Sequence, residues 1–343
     1  MQFTIWLTYD CNLQCTYCYE GNNKPSGKMS LETANEVSDF IYKQITIEKS
    51  IDDYVSIDFL GGEPLLNYET MCYLIEKIRS WDIKMPIFLG TTTNAVLLTK
   101  DKIIYLMKML DEISLSIDGK KLTHDMHRKN HDGSGSYKTI ISNINEILSC
   151  ENWISKIRVR MTVSPTTVNY LYENVDYLVG LGFKTIVPMI DRFVDWPEEE
   201  SNCLYQEMIK IHEGIAIKQN DLKLGLVDDI SLRQESFCLA GEETMHISPD
   251  GIIFPCTYVV GQDDFIFGDV RKGIKSEKVE WLKNINSAKM TDCCMSCAWK
   301  RLCIGNRCRL LNFAATGNFY TPSYATCINE RLHLKLCGQA KSR

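Results

Sequence analysis

Hydrophobic and polar residues alternate along the first 190 positions with two different periods. Short segments in which apolar and polar residues alternate are typical of strands, and longer segments with apolar residues three and four apart are typical of helices. The strand-like segments are residues 4–9, 55–60, 86–92, 112–117, 157–163 and 184–190. Helical segments lie between them, at about 30–48, 68–81, 101–110, 136–148 and 168–181. Strands that alternate with helices in this way predict an α/β fold of parallel βα units, wrapped as a barrel or an open sheet.

Two of the predicted strands indicate what lies inside this sheet. In residues 112–117 the apolar Ile113 and Leu115 alternate with serines, and residues 157–163 read IRVRMTV, with arginine at every second position of the first half. Strands of a parallel sheet that is covered on both faces are usually apolar throughout. The alternation therefore predicts a barrel lumen lined with polar groups, able to hold a polar ligand. A sheet with one solvated face is the alternative.

The pattern changes after residue 195. Residues 196–235 resemble a bridging helix and a connection, and from Cys238 onward short segments, turns and cysteines follow one another. A core this thin is expected to need bound metal in order to fold. The sequence thus divides into a partial barrel (1–195), a bridging region (196–235) and a small C-terminal domain (236–343).

Composition excludes several classes of protein. The chain has 343 residues, 45% of them hydrophobic and 24% charged, as in ordinary globular proteins. Its net charge of −6 argues against a sequence-independent nucleic-acid binder. No apolar segment approaches the about 18 residues of a membrane span, and the N-terminus does not resemble a signal peptide. We therefore expect a cytoplasmic protein with no nucleic-acid or membrane partner.

The 15 cysteines point to a specific chemistry. In a reducing cytosol, many cysteines favour metal ligation or redox chemistry over disulfides. Cys11, Cys15 and Cys18 lie together near the start, and nine more fall between Cys238 and Cys337. These two groups predict two kinds of metal site. Cys72 and Cys150 lie in helical segments and are interpreted as packing residues.

The first group has the spacing Cys-x3-Cys-x2-Cys and follows the first predicted strand. Three thiolates on one loop can hold three corners of a cubane iron–sulfur cluster, which leaves one iron open for a small ligand. Zinc usually shows paired CxxC motifs or a nearby histidine pair. The spacing, with Tyr17 beside the last cysteine, resembles the radical S-adenosylmethionine (SAM) superfamily. That resemblance implies a 4Fe–4S cluster that binds SAM and cleaves it reductively to a 5′-deoxyadenosyl radical.

Further positions resemble the SAM pocket of that superfamily. Gly61, Gly62, Glu63 and Pro64 match the motif that contacts the SAM amino group, and Asn94 and Ser116 match positions that line the pocket. Arg160 is expected to pair with the SAM carboxylate or with an interior acid. Arg128 has the same two interpretations. The sequence identifies no catalytic residue; by position, the candidates for a general base are Asp118, Asp191 and Glu63.

The second cysteine group resembles the SPASM domain, the auxiliary-cluster extension of radical SAM peptide and protein maturases. The resemblance implies auxiliary cluster I at Cys238, Cys256 and Cys308, and auxiliary 4Fe–4S cluster II at Cys294, Cys297, Cys303 and Cys327. Two features depart from the family pattern. Four residues, not three, separate Cys303 from Cys308, and Cys293 stands beside Cys294, so either could be the ligand. Structural zinc ribbons are the alternative interpretation.

Auxiliary cluster I lacks an obvious fourth ligand in this pattern. Position 232, where the family can have a further cysteine, is Leu232. Cys203 or Cys337 could complete the cluster, or one iron could stay open and bind a substrate thiolate. These alternatives stay open at the level of sequence.

Taken together, the resemblance implies a partial (β/α)6 barrel, similar to a TIM barrel, with a C-terminal iron–sulfur domain. The leading functional hypothesis is a maturase that forms a thioether or carbon–carbon crosslink in a ribosomally made precursor peptide. The alternatives are an anaerobic sulfatase maturase, which converts Cys or Ser to formylglycine, and a non-catalytic iron–sulfur or zinc protein. Expected partners are the precursor peptide, a one-electron reductant (flavodoxin or ferredoxin) and a separate leader-binding protein.

Overall fold

Six parallel strands form the N-terminal part of the protein. The structure, a computed structural model, describes residues 1–21, 25–47, 54–215, 221–227 and 239–341. The strands are β1 (Gln2–Trp6), β2 (Val55–Leu60), β3 (Ile87–Thr93), β4 (Glu112–Ser116), β5 (Ile157–Val163) and β6 (Thr185–Ile190). All six lie where the sequence predicted strands. β1 ends earlier than predicted, because Tyr9 leaves the sheet and donates its backbone N–H to the Gly27 carbonyl oxygen at 3.0 Å.

Helices connect these strands and cover one face of the sheet. They are α1 (Leu31–Ile47), α2 (Tyr68–Arg79), α3 (Lys100–Met109), α4 (Lys121–His127), α5 (Tyr137–Leu148), α6 (Glu151–Ile154) and α7 (Leu171–Gly180). On this face the strands contribute buried apolar side chains, among them Ile57, Leu89 and Val159. The five predicted helices are present. α4 and α6 were not predicted, because 7 and 4 residues are too few to show a helical period.

The sheet continues beyond the barrel strands at both edges. β7 (Lys223–Leu224) pairs with β6, and β8 (Thr244–Ile247) pairs in parallel with β1. The full order is β11-β10-β9-β8-β1-β2-β3-β4-β5-β6-β7. The predicted partial (β/α)6 barrel is therefore confirmed. The boundary drawn at residue 236 crosses a continuous sheet, since β8 hydrogen-bonds to the first barrel strand.

The other face of the barrel sheet carries the predicted polar residues. Along β5, buried apolar residues alternate with the half-buried Arg158, Arg160 and Thr162. On β4, Ser114 is buried, and its Oγ accepts a hydrogen bond from Arg160 Nε at 3.2 Å. Polar groups thus line the concave side of the sheet and bond to one another there.

The C-terminal region has more regular structure than the sequence predicted. The bridging helix is α8 (Glu198–Gly214), and three short antiparallel strands follow β8: β9 (Ile252–Phe254), β10 (Gly268–Asp269) and β11 (Gly273–Ile274). The helices are α9 (Ser276–Ser287), α10 (Asp292–Met295), α11 (Ile304–Arg307), α12 (Arg309–Thr316) and α13 (Tyr324–Lys341). The expectation of short segments alone was wrong for α13. Its buried face includes Thr326, Asn329, Glu330 and His333, so polar residues interrupt the apolar stripe that marks a helix.

This region also contains an aromatic core of its own. The side chains of Phe265, Phe267, Trp281, Phe313 and Phe319 form a connected set, with ring centroids 4.6–6.3 Å apart. Aromatic groups of this size contribute much of the apolar area that a small domain buries. The cysteines therefore lie beside a packed hydrophobic cluster. Among the described residues, no helix combines the length and the apolarity that crossing a membrane would need.

Candidate functional site

The first three cysteines lie on the loop that follows β1, at the carboxyl ends of the barrel strands. Cys11, Cys15 and Cys18 line a cavity of about 440 Å³, and the last two also border a second cavity of about 370 Å³. Thiolates are the ligands of iron–sulfur clusters, and each binds a different iron of a cubane. Within the described ranges, no three His, Cys, Asp or Glu side chains converge as ligands of a single metal ion. The donor set and the adjoining space fit a three-thiolate cluster.

The last residue of α4 and the segment after it hold one side of this loop. Thr16 donates its backbone N–H to the His127 carbonyl oxygen at 3.0 Å, and its hydroxyl lies 2.6 Å from His127 Nδ1. His131 Nε2 lies 3.0 Å from the Cys11 carbonyl oxygen. Sequence reasoning missed both histidines, since nothing in their spacing marks a contact with residues more than one hundred positions away.

A buried carboxylate fixes the middle of the loop. Asp118, 2% exposed, accepts hydrogen bonds from Arg128 Nε at 3.0 Å and Nη2 at 3.2 Å, and from the Thr162 backbone N–H at 2.9 Å. The Tyr17 hydroxyl donates to the same carboxylate. Burial alone would lower the pKa of Arg128, but the charge of Asp118 raises it, so the guanidinium stays protonated. Arg128 thus has the ion-pair role, and Asp118, a candidate base by position, has both oxygens bonded.

Glu63 supports the loop from the opposite side. Its Oε1 accepts from Thr93 Oγ1 at 2.7 Å and from the Leu65 N–H at 3.1 Å, and its Oε2 accepts from the Asn94 N–H at 2.7 Å. Burial raises the pKa of Glu63 to about 7, although these hydrogen bonds lower it. Asn94 Nδ2 in turn lies 3.8 Å from Cys11 Sγ. Glu63 therefore connects the loops after β2 and β3 to the first cysteine.

The paired glycines before Glu63 allow the loops to pack this closely. Gly61 has a φ of +140°, and a Cβ there would lie 2.3 Å from the Thr8 carbonyl oxygen. A Cβ on Gly62 would lie 2.3 Å from the carbonyl oxygen of Asp10, the residue before the first cysteine. Pro64 begins a short 3-10 turn, Pro64–Asn67. The motif is therefore needed for backbone packing against the cysteine loop.

The remaining predicted pocket residues lie on the concave face of the barrel. Ser116 and Arg160 are register neighbours on β4 and β5. Burial lowers the pKa of Arg160, whereas the charges of Glu112 and Asp58 raise it. The structure thus brings Tyr17, Gly62 and Asn94 to the cysteine loop and leaves Ser116 and Arg160 on the lumen face.

The C-terminal cysteines fall into two neighbourhoods. Burial, together with the smaller effect of neighbouring cysteines, raises the pKa of Cys327 to about 11; these neighbours are Cys303, Cys294, Cys293 and Cys297. Burial likewise raises the pKa of Tyr258 to about 12, with smaller contributions from Cys256 and Cys308. Four cysteines are therefore electrostatic neighbours of Cys327, and two others are neighbours of Tyr258. Cys238 lies outside the described residues, and so does the side chain of Cys337.

Comparison with known proteins shows which proteins this chain is similar to. A family profile described as a 4Fe-4S single cluster domain matches residues 1–142. The cysteine-type anaerobic sulfatase-maturating enzyme of Clostridium perfringens (strain 13 / Type A) is 25% identical over 335 residues, which cover 87% of this chain and 86% of that enzyme. The radical SAM cyclopropyl synthase TigE of Paramaledivibacter caminithermalis is 24% identical over 270 residues, 72% of this chain.

The chain covers only part of the length of some of these relatives. The chain spans 55% of TigE and 59% of a 29% identical protein of Methanocaldococcus jannaschii. A solved structure of anSMEcpe with bound AdoMet and Cp18Cys peptide superposes with a TM-score of 0.80 at 20% identity, covering 99% of this chain and 97% of that one. The structural likeness confirms the fold, and the sequence relatives confirm the predicted resemblance and enzyme class. The non-catalytic alternative is thereby set aside.

The glycine contact leads to a first prediction. Gly62→Ala should displace the cysteine loop, because the added Cβ overlaps the Asp10 carbonyl oxygen; overpacking of this kind costs about 1–3 kcal/mol. We expect less iron per chain after anaerobic reconstitution, and SAM affinity at least about tenfold weaker. The control is Gly180→Ala at the end of α7, where a Cβ meets no atom within 4 Å. Equal iron content and SAM affinity in the two variants would contradict the prediction.

The buried ion pair leads to a second prediction. Asp118→Asn leaves the buried charge of Arg128 without its counter-ion, which should lower the free energy of unfolding by about 3–5 kcal/mol. Glu112→Gln, at the other end of β4, removes a half-exposed pair with Arg158 Nη2 at 2.8 Å and should cost less than about 1 kcal/mol. Anaerobic urea denaturation measures both values. Similar losses in the two variants would show that Asp118 is not a structural anchor.

Proposed function

We propose that this chain, a member of the radical SAM maturases, modifies a ribosomally made precursor peptide by forming a thioether or a carbon–carbon crosslink. The observation that carries the proposal is the loop of Cys11, Cys15 and Cys18, which borders open cavities and is fixed by buried residues on two sides. A second group of cysteines accompanies it in the C-terminal region. We place the reaction in the cytoplasm, because cysteines stay reduced there.

The cofactors are SAM, the 4Fe–4S cluster at the three loop cysteines and two auxiliary clusters. Bound together, SAM and the first cluster supply a 5′-deoxyadenosyl radical that removes a hydrogen atom from an unactivated C–H bond, with an electron from flavodoxin or ferredoxin. The protein's contribution is to hold the ligands rigid. Tyr17, Asp118 and Arg128 fix the loop from one side, and Glu63 and Asn94 fix it from the other.

Formation of a thioether determines what else the site must supply. A C–H and an S–H bond break and a C–S bond forms, so the peptide loses one hydrogen atom, one proton and one further electron. The hydrogen atom goes to deoxyadenosine. The electron needs an acceptor, for which the C-terminal cysteine groups provide metal sites close to the barrel. The proton needs a general base.

Asp191 is the candidate base that the contacts favour. It follows β6 at the same end of the barrel as the cysteine loop, and it is 6% exposed. Its Oδ1 accepts from the Phe193 N–H at 2.9 Å, and in the described part of the chain its Oδ2 accepts no hydrogen bond. Burial raises the pKa of Asp191, which strengthens it as a base at neutral pH. Asp118 and Glu63, in contrast, have both carboxylate oxygens bonded.

An aromatic group between the two cysteine regions supports a peptide substrate. Tyr19, next to Cys18, is 43% exposed and lies 6.3 Å from Phe193 and 5.4 Å from Tyr258, measured between ring centroids. Its hydroxyl lies 3.1 Å from Thr257 Oγ1, next to Cys256. Exposed aromatic clusters commonly mark binding surfaces. We propose that apolar side chains of the peptide bind here; a separate protein would bind the leader.

The sulfatase maturase reaction is the second candidate, favoured by the Clostridium perfringens relative, which matches along most of both chains. The two reactions leave different products. A thioether crosslink removes two hydrogens and retains the sulfur, whereas conversion of Cys to formylglycine removes the sulfur. Mass spectrometry of the peptide distinguishes them directly.

The deciding experiment is anaerobic reconstitution with SAM, dithionite and the peptide encoded beside this gene. We expect deoxyadenosine release together with loss of two hydrogens from the peptide, and neither in a variant with Cys11, Cys15 and Cys18 all replaced by Ala. A peptide with a sulfatase signature serves as the comparison substrate. Deoxyadenosine release with an unchanged peptide, or loss of sulfur from the comparison substrate alone, would contradict the crosslinking proposal.

The assignment of Asp191 has its own test. Asp191→Asn should still release deoxyadenosine but form at least about tenfold less product, since the proton of the peptide thiol then lacks an acceptor. In the unsubstituted enzyme, product yield per deoxyadenosine should fall as the pH drops through the raised pKa of Asp191. The control is Asp195→Asn, an exposed carboxylate four residues away. An equal loss of product in both variants would show that Asp191 is not the general base.

A further inference from the structure

Arg309 has an unusual environment in the C-terminal region. It is the first residue of α12, directly after Cys308, and only 3% exposed. Its Nη2 donates to the Ala288 carbonyl oxygen at 2.9 Å, and the guanidinium lies 5.7 Å from the centroid of the Tyr320 ring. Its Nε and Nη1 are buried and have no hydrogen-bond partner among the described residues. Two strong donors on a buried cation are therefore unsatisfied.

Such an arrangement is costly unless an anion completes it. A buried charge without a partner strongly destabilises a protein, and a guanidinium stays protonated even when buried. No carboxylate pairs with Arg309 in the part of the chain that the structure describes. Arg309 directly follows Cys308, which is an implied ligand of an auxiliary cluster. The anion that fits must therefore lie beside the C-terminal cysteines.

The neighbouring cysteines indicate the nature of that anion. Cys308, the residue before Arg309, is one of the cysteines that the sequence resemblance assigns to an auxiliary 4Fe–4S cluster. A 4Fe–4S core with charge +2 and four thiolate ligands has a net charge of −2, and its sulfur atoms accept hydrogen bonds. Hydrogen bonds and nearby charge are among the factors that set the reduction potential of such clusters.

We propose that Arg309 donates hydrogen bonds from Nε and Nη1 to the sulfur atoms of this C-terminal cluster and thereby raises its reduction potential. The inference rests on the proposed function only for the presence of the cluster. Reduction adds a negative charge, which a buried guanidinium stabilises. A cluster that is easier to reduce is also a better acceptor for the electron that leaves the peptide. Arg309 is thus a positioning and tuning residue rather than a catalytic one.

The test measures the reduction potential of the cluster in the full chain. We would replace Cys11, Cys15 and Cys18 by Ala, so that the remaining signals come from the C-terminal cysteines, reconstitute anaerobically and titrate by EPR. Arg309→Met should shift the reduction equilibrium of one C-terminal cluster at least about tenfold toward the oxidised state, which is about 59 mV for one electron. Arg309→Lys keeps the charge but loses the planar fork, so its shift should be smaller.

Arg301→Met is the matched control, because Arg301 lies in the same cysteine-rich segment but is exposed, where solvent and salt screen its charge. A potential unchanged by Arg309→Met at full iron content would overturn the inference, and so would C-terminal cysteines that bind no iron before the substitution. If Arg309→Met alone fails to retain iron, the Arg309→Lys variant decides the test. A cluster reduction potential below that of the unsubstituted chain then supports the proposal, and an equal potential overturns it. Failure of peptide modification with these shifts present would count against the proposed function only.

Discussion

The shape of the cysteine loop depends on the buried carboxylate of Asp118. Asp118 stands at the end of β4 and bonds to three parts of the chain: Tyr17 in the cysteine loop, Arg128 after α4 and the backbone of Thr162 on β5. A buried carboxylate is tolerable only when counter-charge and hydrogen bonds surround it, so these contacts form together or not at all. The cysteine loop has no regular structure of its own. Its shape is therefore set by the strands and helices that this carboxylate joins.

Support from two sides gives the loop the rigidity that a metal site requires. Glu63 connects the loops after β2 and β3 to Cys11 through Asn94, while Asp118 connects the ends of β4 and β5 to Tyr17. Four neighbouring strands thus control the positions of three thiols. A site whose ligands are held by residues that are themselves fixed needs little reorganisation when its cofactor binds. The glycine pair belongs to the same design, because any larger residue would separate β2 from the loop.

The parts of the fold that sequence predicted are those with a local period. The six barrel strands and the helices between them follow from residues adjacent in the chain, and so does the alternation on β5 that marks the lumen. What sequence did not predict depends on distant pairing. β8 joins β1 across more than two hundred residues, His127 meets the cysteine loop across one hundred, and the buried polar residues of α13 hide its helical face. For the site, the cysteine spacing was informative, whereas the role of each carboxylate became clear only from its hydrogen bonds.

Comparison of two buried arginines shows how the halves of the protein differ in charge balance. Arg128 and Arg309 are both almost fully buried, and both lie over a tyrosine ring. Arg128 has a carboxylate from its own chain, so the polypeptide alone balances its charge. Arg309 has a carbonyl oxygen and an aromatic face but no carboxylate among the described residues, and a carbonyl dipole does not neutralise a cation. The aromatic core can pack the C-terminal region, yet the charge of Arg309 is balanced only when an anion lies near the cysteines. Packing and charge balance are thus separate requirements there, and thiolate-bound metal satisfies the second.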